Sequence, residues 1–132
     1  RILNSTLKIS EKFLYKRYKK FKREYDEIKA GVKATSSKLL LYNYPSDRTS
    51  FTSELSNEIL YRYPKKMIII CRKKSGDVRC SLRSAKYKVL PILKEALKDV
   101  EGYGGGHEYA CGASIKETDF KKFVKHIKGQ LS

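Results

Sequence analysis

The chain is poor in the residues that build metal centres and covalent staples. It has 132 residues, but only two histidines, His107 and His126, and three cysteines, Cys71, Cys80 and Cys111. Three cysteines do not make a disulfide framework, and none stands at zinc-ligand spacing with a histidine. They read as reduced thiols in a core, where free cysteine is commonly buried. His126 reads as a partly exposed helical histidine. Long apolar runs are also missing. The longest, Met67–Cys71, has five residues, against the ~18 that a membrane-spanning helix needs. The N-terminal stretch is polar and then basic, which is no signal-peptide pattern, so a cytoplasmic protein is expected. The chain starts at Arg1 rather than Met, the start expected of a fragment or a processed product. There is no internal repeat and no low-complexity tract.

Acidic residues are scarce. There are 14 Asp and Glu against 30 Lys and Arg, for a net charge of +16. A hydrophobic fraction of 40% excludes a disordered tail, and the length fits one domain with a core of its own. Strong positive charge in such a chain calls for an anionic partner. Nucleic acid comes first, then a membrane surface or an acidic protein, while lysine-rich stabilisation at high temperature is the bland alternative. The excess is not confined to one end. Residues 1–30 carry 10 basic and 4 acidic residues, and residues 31–132 carry 20 and 10.

The first segment predicts a long helix over Ser5–Ala30, stopped by Gly31. Its apolar seam, Leu14, Tyr18, Phe21, Tyr25 and Ile28, steps by 4 and 3, the coiled-coil interval, with Leu7 one heptad earlier. Lys16, Arg17, Lys19, Lys20, Lys22 and Arg23 lie between, as a solvated face or a strip beside nucleic acid. Such a seam is expected to fold back, fray or pair with another copy, and self-association is the outcome favoured, because an exposed apolar stripe tends to be covered. Beyond it, Lys38–Tyr42 reads as a strand and Tyr44–Ser50, with Pro45, Ser46 and Asp47, as a loop. A helix capped by Ser50 or Thr52 runs to Tyr63, and Pro64 stops it. Met67–Arg72 and Asp77–Ser84 read as strands joined at Ser75-Gly76. In that hairpin Cys71 faces Cys80 at a non-hydrogen-bonded pair, and the two are expected to be reduced but adjacent. Pro91–Val100 reads as a helix, Ala113–Lys116 as a strand, and Thr118 as the cap of a last helix carrying Phe120, Phe123, Val124, Ile127 and Leu131. The outcome is an α/β domain over residues 31–132. It has a mixed β-sheet of about four to five strands flanked by helices, and residues 1–30 precede it as a long connector helix.

The segment Gly102-Tyr103-Gly104-Gly105-Gly106-His107-Glu108-Tyr109-Ala110-Cys111-Gly112-Ala113-Ser114-Ile115 is the most specific. Three consecutive glycines read as a turn whose N–H groups form an anion nest, with His107 adding a ring hydrogen bond. The bland alternative is a flexible loop. The whole string resembles the Gly-Gly-Gly-His motif of the DHH-associated domain, the C-terminal half of DHH-family phosphoesterases. Those include RecJ-like exonucleases, oligoribonucleases and cyclic-dinucleotide phosphodiesterases. Gly76–Ser84 is similar to the family's strand ending in Ser-Leu-Arg-Ser. The helix with Asn57, Glu58 and Leu60 followed by Met67–Cys71 also fits the family's order. The likeness covers residues 35–130, with one departure at Cys111, where the family often has alanine.

The resemblance implies a substrate-binding half that holds single-stranded RNA or DNA, or a short oligonucleotide, for a separate catalytic domain. Arg83, Ser84, Gly104, Gly105, Gly106 and His107 would bind phosphate or a terminal nucleotide, with Arg79 nearby. Arg83 itself has two readings, an exposed sheet arginine or a bidentate phosphate clamp. No Asp-His-His occurs here, and the five Asp residues at 26, 47, 77, 99 and 119 are scattered. This chain is therefore expected to carry no cofactor and no hydrolysis of its own, since two-metal hydrolysis needs ligands that hold both ions ~3.5–4 Å apart. Manganese or magnesium belongs to the missing catalytic half. The alternative is a protein-interaction module in which the first helix pairs with a catalytic or replication partner.

Overall fold

The computed structural model describes residues 2–45 and 49–132, with side chains from residue 11 onward. It has two units, residues 1–32 and residues 33–132. The first unit is α1 (Ile2–Ala30). It ends where Gly31 and Val32 donate to the carbonyls of Ile28 and Lys29. Phe13, Leu14, Tyr15, Tyr18 and Phe21 are exposed on it. Lys19 lies over the Tyr15 ring at 4.5 Å and Arg17 over Phe21 at 5.5 Å. The side chain of Leu7 lies outside the described residues.

The second unit runs β1 (Leu39–Tyr44), α2 (Thr52–Arg62), β2 (Met67–Lys74), β3 (Asp77–Arg83), α3 (Val89–Ala96), β4 (Gly102–His107), β5 (Ala110–Lys116), a 3₁₀ turn (Glu117–Asp119) and α4 (Phe120–Leu131). The strands form one sheet in the order β1-β2-β3-β5-β4, with β1 parallel to β2 and every other pair antiparallel. Met67–Cys71 is wholly buried because β2 is central and covered on both faces, so a continuous apolar run is what the position selects. Alternation divides its side chains. Met67, Ile69 and Cys71 join Leu82, Val89, Leu93, Phe123 and Ile127 in the core beneath α3 and α4. Leu55 and Ile59 of α2 are buried on the other face of β2 and β3. The Tyr44 hydroxyl accepts the Phe51 N–H at 2.7 Å and donates to the Thr49 carbonyl. That pins the chain on either side of Ser46–Arg48, where part of the expected loop lies outside the described residues.

Several expectations need correction. The glycine run is not a turn but strand β4, in register with β5 from Gly102↔Ile115 to His107↔Ala110. Consequently β5 starts at Ala110, three residues before its expected start. Helix α3 begins at Val89, two residues before Pro91, because a proline in the first turn gives up no intrahelical hydrogen bond. Neither Thr118 nor Ser50 nor Thr52 caps a helix. Asp119 precedes α4 and uses its carboxylate on the Glu101 N–H at 2.8 Å. Phe51 precedes α2 without a side-chain cap, and the Thr52 hydroxyl instead accepts from Ser81 at 3.0 Å.

Strand β4 is glycine-rich for a steric reason. A Cβ on Gly104 would stand 2.6 Å from the Gly112 carbonyl oxygen and 2.8 Å from the Ala113 Cβ, whereas a Cβ on Gly105 meets nothing within 4 Å. Gly104→Ala should therefore cost about 1–3 kcal/mol through overpacking, and Gly105→Ala should cost markedly less. Urea unfolding of the two variants checks this, and equal losses would contradict it.

Candidate nucleic-acid interface

The register brings Arg83, Arg79, Gly105 and His107 into cross-strand rows on one face, whereas Gly104 and Gly106 fall in the alternate rows and Ser84 lies past the end of β3. Arg83, Ala110 and His107 are successive partners across β3, β5 and β4, followed by Ser81, Gly112 and Gly105, and then Arg79, Ser114 and Tyr103. Directly opposed residues point to the same face. Helix α2 covers this face over β2 and β3, while Gly112, Tyr103 and His107 are exposed. The result is a floor of small residues, Ala110, Gly112, Gly105 and Ser114. Arginines border it on one side, and Tyr103 and His107 on the other. Two strand spacings put Arg83 and His107 about 10 Å apart, and four residues of strand make the floor roughly 13 Å long.

Local contacts fix both borders. The two-residue turn Glu108–Tyr109 is anchored at each carbonyl. Glu108 accepts the Val89 N–H at 2.7 Å and the Leu90 N–H at 3.2 Å, which caps the start of α3. Tyr109 accepts the Ser84 N–H at 3.2 Å. Lys88 adds an exposed ion pair to Glu108 at 3.2 Å. Ser84 is buried, and its hydroxyl accepts the N–H groups of Lys86 and Tyr87 at 3.1 and 2.8 Å. It therefore shapes the turn that leaves β3. His107 is thus held relative to Arg83 by backbone bonds.

Arg83 is the most constrained cation of the site. Its Nε donates to Asn57 Oδ1 at 2.9 Å, and Nη2 donates to Ser53 Oγ at 3.1 Å. Nη1 donates to the carbonyls of Leu82 and Cys111 at 3.0 and 2.9 Å. Four of the five guanidinium donors are engaged, all by neutral acceptors. A bidentate clamp would need two free parallel donors, so the fork geometry expected from the sequence is not offered in this conformation. The charge itself is offered. Among the described residues no carboxylate pairs with Arg83 or Arg79. Burial lowers the Arg83 pKa from its ordinary value, and Cys111 partly offsets this. The guanidinium remains charged at any ordinary pH.

Edge-strand geometry changes the donor set. In an antiparallel ladder closed by a two-residue turn, hydrogen-bonded pairs alternate from His107↔Ala110 outward. The N–H groups of Gly104 and Gly106 then face away from β5. The glycine run offers a line of edge donors instead of a nest. The far end of the floor is electrically mixed, because Asp77, Glu101 and Lys116 line a cavity there with Tyr103 and Ser114. An anion is favoured at the Arg83–His107 end.

Sequence reading missed Tyr103, 72% exposed, as a border of the site, and Ser53 and Asn57 as the groups that hold Arg83. Alternation of Tyr103, Gly105 and His107 was the available signal for the first. None existed for the others, which lie 30 and 26 residues from Arg83. Among the described residues no three His, Cys, Asp or Glu side chains gather as metal ligands.

A floor of small residues on a mixed α/β sheet is thus bordered by two arginines, a histidine and an exposed aromatic ring. Residues 47–132 match the DHHA1 domain family, and the chain belongs to it. The C-Ala domain of alanyl-tRNA synthetase from Aquifex aeolicus shares the fold, with a TM-score of 0.59 and 19% identity over 73% of this chain and 94% of that domain. RecJ from Thermus thermophilus, solved with Mg2+, superposes with a TM-score of 0.71 and 16% identity over 89% of this chain. A pGpG-specific phosphodiesterase from Vibrio cholerae does so with a TM-score of 0.62 and 14% identity over 90%. The chain spans 19% of that RecJ and 41% of that phosphodiesterase. No curated protein matches the sequence.

Proposed function

We propose that this chain is a nucleic-acid-binding module that seats the phosphorylated end of a single strand or short oligonucleotide on the floor between Arg83 and His107. The observation that carries the reading is the Arg83–Ala110–His107 row, in which a cation without a carboxylate partner faces a histidine across a floor without bulk. Arg83 supplies the charge, Tyr103 offers a face for a base to stack on, and the outward N–H groups of Gly104 and Gly106 offer donors to a strand that runs on over the sheet edge. The family relationship supports the same reading. So do the likenesses to RecJ, an exonuclease, and to a phosphodiesterase specific for pGpG. In this reading a separate DHH catalytic domain holds manganese or magnesium and cuts what this domain presents.

Titration of a fluorescent phosphorylated oligonucleotide tests it. Affinity should fall steeply with salt, because each neutralised phosphate releases counterions. The oligonucleotide should be recovered uncut after incubation with manganese or magnesium. Salt-independent binding, or cleavage that is lost in His107→Ala, would contradict the proposal.

A further inference from the structure

We propose that Cys71 and Cys80 are a redox modification site, at which a low-molecular-weight disulfide such as oxidised glutathione installs an intramolecular disulfide across the β2–β3 hairpin. The two residues are Cα partners. The turn between their strands has positive φ at both central residues, Ser75 at 53° and Gly76 at 83°, the two-residue geometry that locks register. Alternation from Lys74↔Asp77 makes Cys71↔Cys80 a non-hydrogen-bonded pair, whose Cα atoms approach to about 4.5 Å, within the range a disulfide spans.

The sulfurs are 2.8 Å apart, so both rotamers already aim along the bond to be formed. Cys71 is fully buried and Cys80 is 5% exposed, which makes Cys80 the point of entry. Cys111 is turned elsewhere. It pairs with Leu82 and Gly106 in the neighbouring row, and its thiol donates to the His107 carbonyl at 3.1 Å.

The chemistry balances as two exchanges. The Cys80 thiol loses its proton, and its sulfur attacks one sulfur of the oxidised glutathione, releasing one reduced glutathione. The Cys71 sulfur, after losing its proton, then attacks the Cys80 sulfur and expels the second. The protein loses two protons and two electrons, and one molecule of reagent becomes two thiols. Burial and the neighbouring Cys80 raise the Cys71 pKa well above the usual thiol range. Reaction therefore waits on transient opening of the hairpin and is slow.

The test incubates the whole folded chain with oxidised glutathione at mildly alkaline pH, traps free thiols by alkylation, and reads intact mass and peptide links. The expected product is lighter by two hydrogens before alkylation, keeps one alkylatable thiol, and links the peptides of Cys71 and Cys80. Dithiothreitol reverses it. Cys111→Ser should give the same link, and Cys80→Ser should give none. Three retained thiols, a stable glutathione adduct as end product, or a Cys80–Cys111 link would each overturn the proposal.

Discussion

Arg83→Ala and His107→Ala are each expected to weaken binding of a 5′- or 3′-phosphorylated oligonucleotide roughly tenfold to a hundredfold. That is the ~1.5–3 kcal/mol typical of a lost charge-assisted hydrogen bond. The Arg83 effect should be the larger, because it removes the charge that faces the floor. Arg83→Lys separates charge from geometry. An ammonium keeps the charge but cannot engage Asn57, Ser53 and two carbonyls from one rigid plane, so an intermediate affinity is expected. Lys19→Ala on α1 should cost less and mainly lower the salt slope, by about one. Fluorescence anisotropy at two salt concentrations reads all four variants, once circular dichroism has shown each to be folded. If the Arg83 and His107 variants bind like the parent while Lys19→Ala fails, binding is diffuse charge and the floor is not the seat.

The largest effect on stability is expected at Phe123, on the opposite face of the sheet. Its ring is fully buried in the core beneath α3 and α4 and lies 6.2 Å from Phe120. Phe123→Ala removes that apolar area and leaves a cavity which a rigid sheet cannot collapse to fill, at a cost of about 3–5 kcal/mol. Domains of this size are stable by only ~5–15 kcal/mol, so the urea midpoint should fall substantially. Because Phe123 lies on the other face from Arg83 and His107, the variant should keep its affinity under conditions where it remains folded. A loss below about 1 kcal/mol would show that the α4 stripe is not the core the fold rests on.

The elements most legible in the sequence were those in which side-chain period and turn chemistry agree. The β2–β3 hairpin is one. Ser75-Gly76 set the turn, alternation set the faces, and the expected Cys71–Cys80 pairing is the observed register. The α4 stripe is another. Strand β4 was illegible because Gly102, Gly104, Gly105 and Gly106 carry no side chains to show a period of two, and their strand character comes from β5 alongside. The same gap misread the donor set, placing a nest where there is an edge. For Arg83, the residue and the strand end were readable. Its engagement by Asn57 and Ser53 was not, since only the packing of α2 on β3 brings them together. Helix caps failed for a related reason. The hydroxyl of Thr52 found the Ser81 hydroxyl, a tertiary partner, in place of its own helix start.

The central claim is that the Arg83–Ala110–His107 row and its glycine neighbours seat a nucleic-acid end. Amide chemical-shift mapping of the isotope-labelled chain, titrated with a short phosphorylated oligonucleotide, tests it most directly. The account predicts that the largest shifts fall on Arg83, Gly104, Gly105, Gly106, His107, Ala110 and Gly112, and that they saturate together. Shifts confined to the lysines of α1 or α4, with those seven amides unmoved, would contradict it.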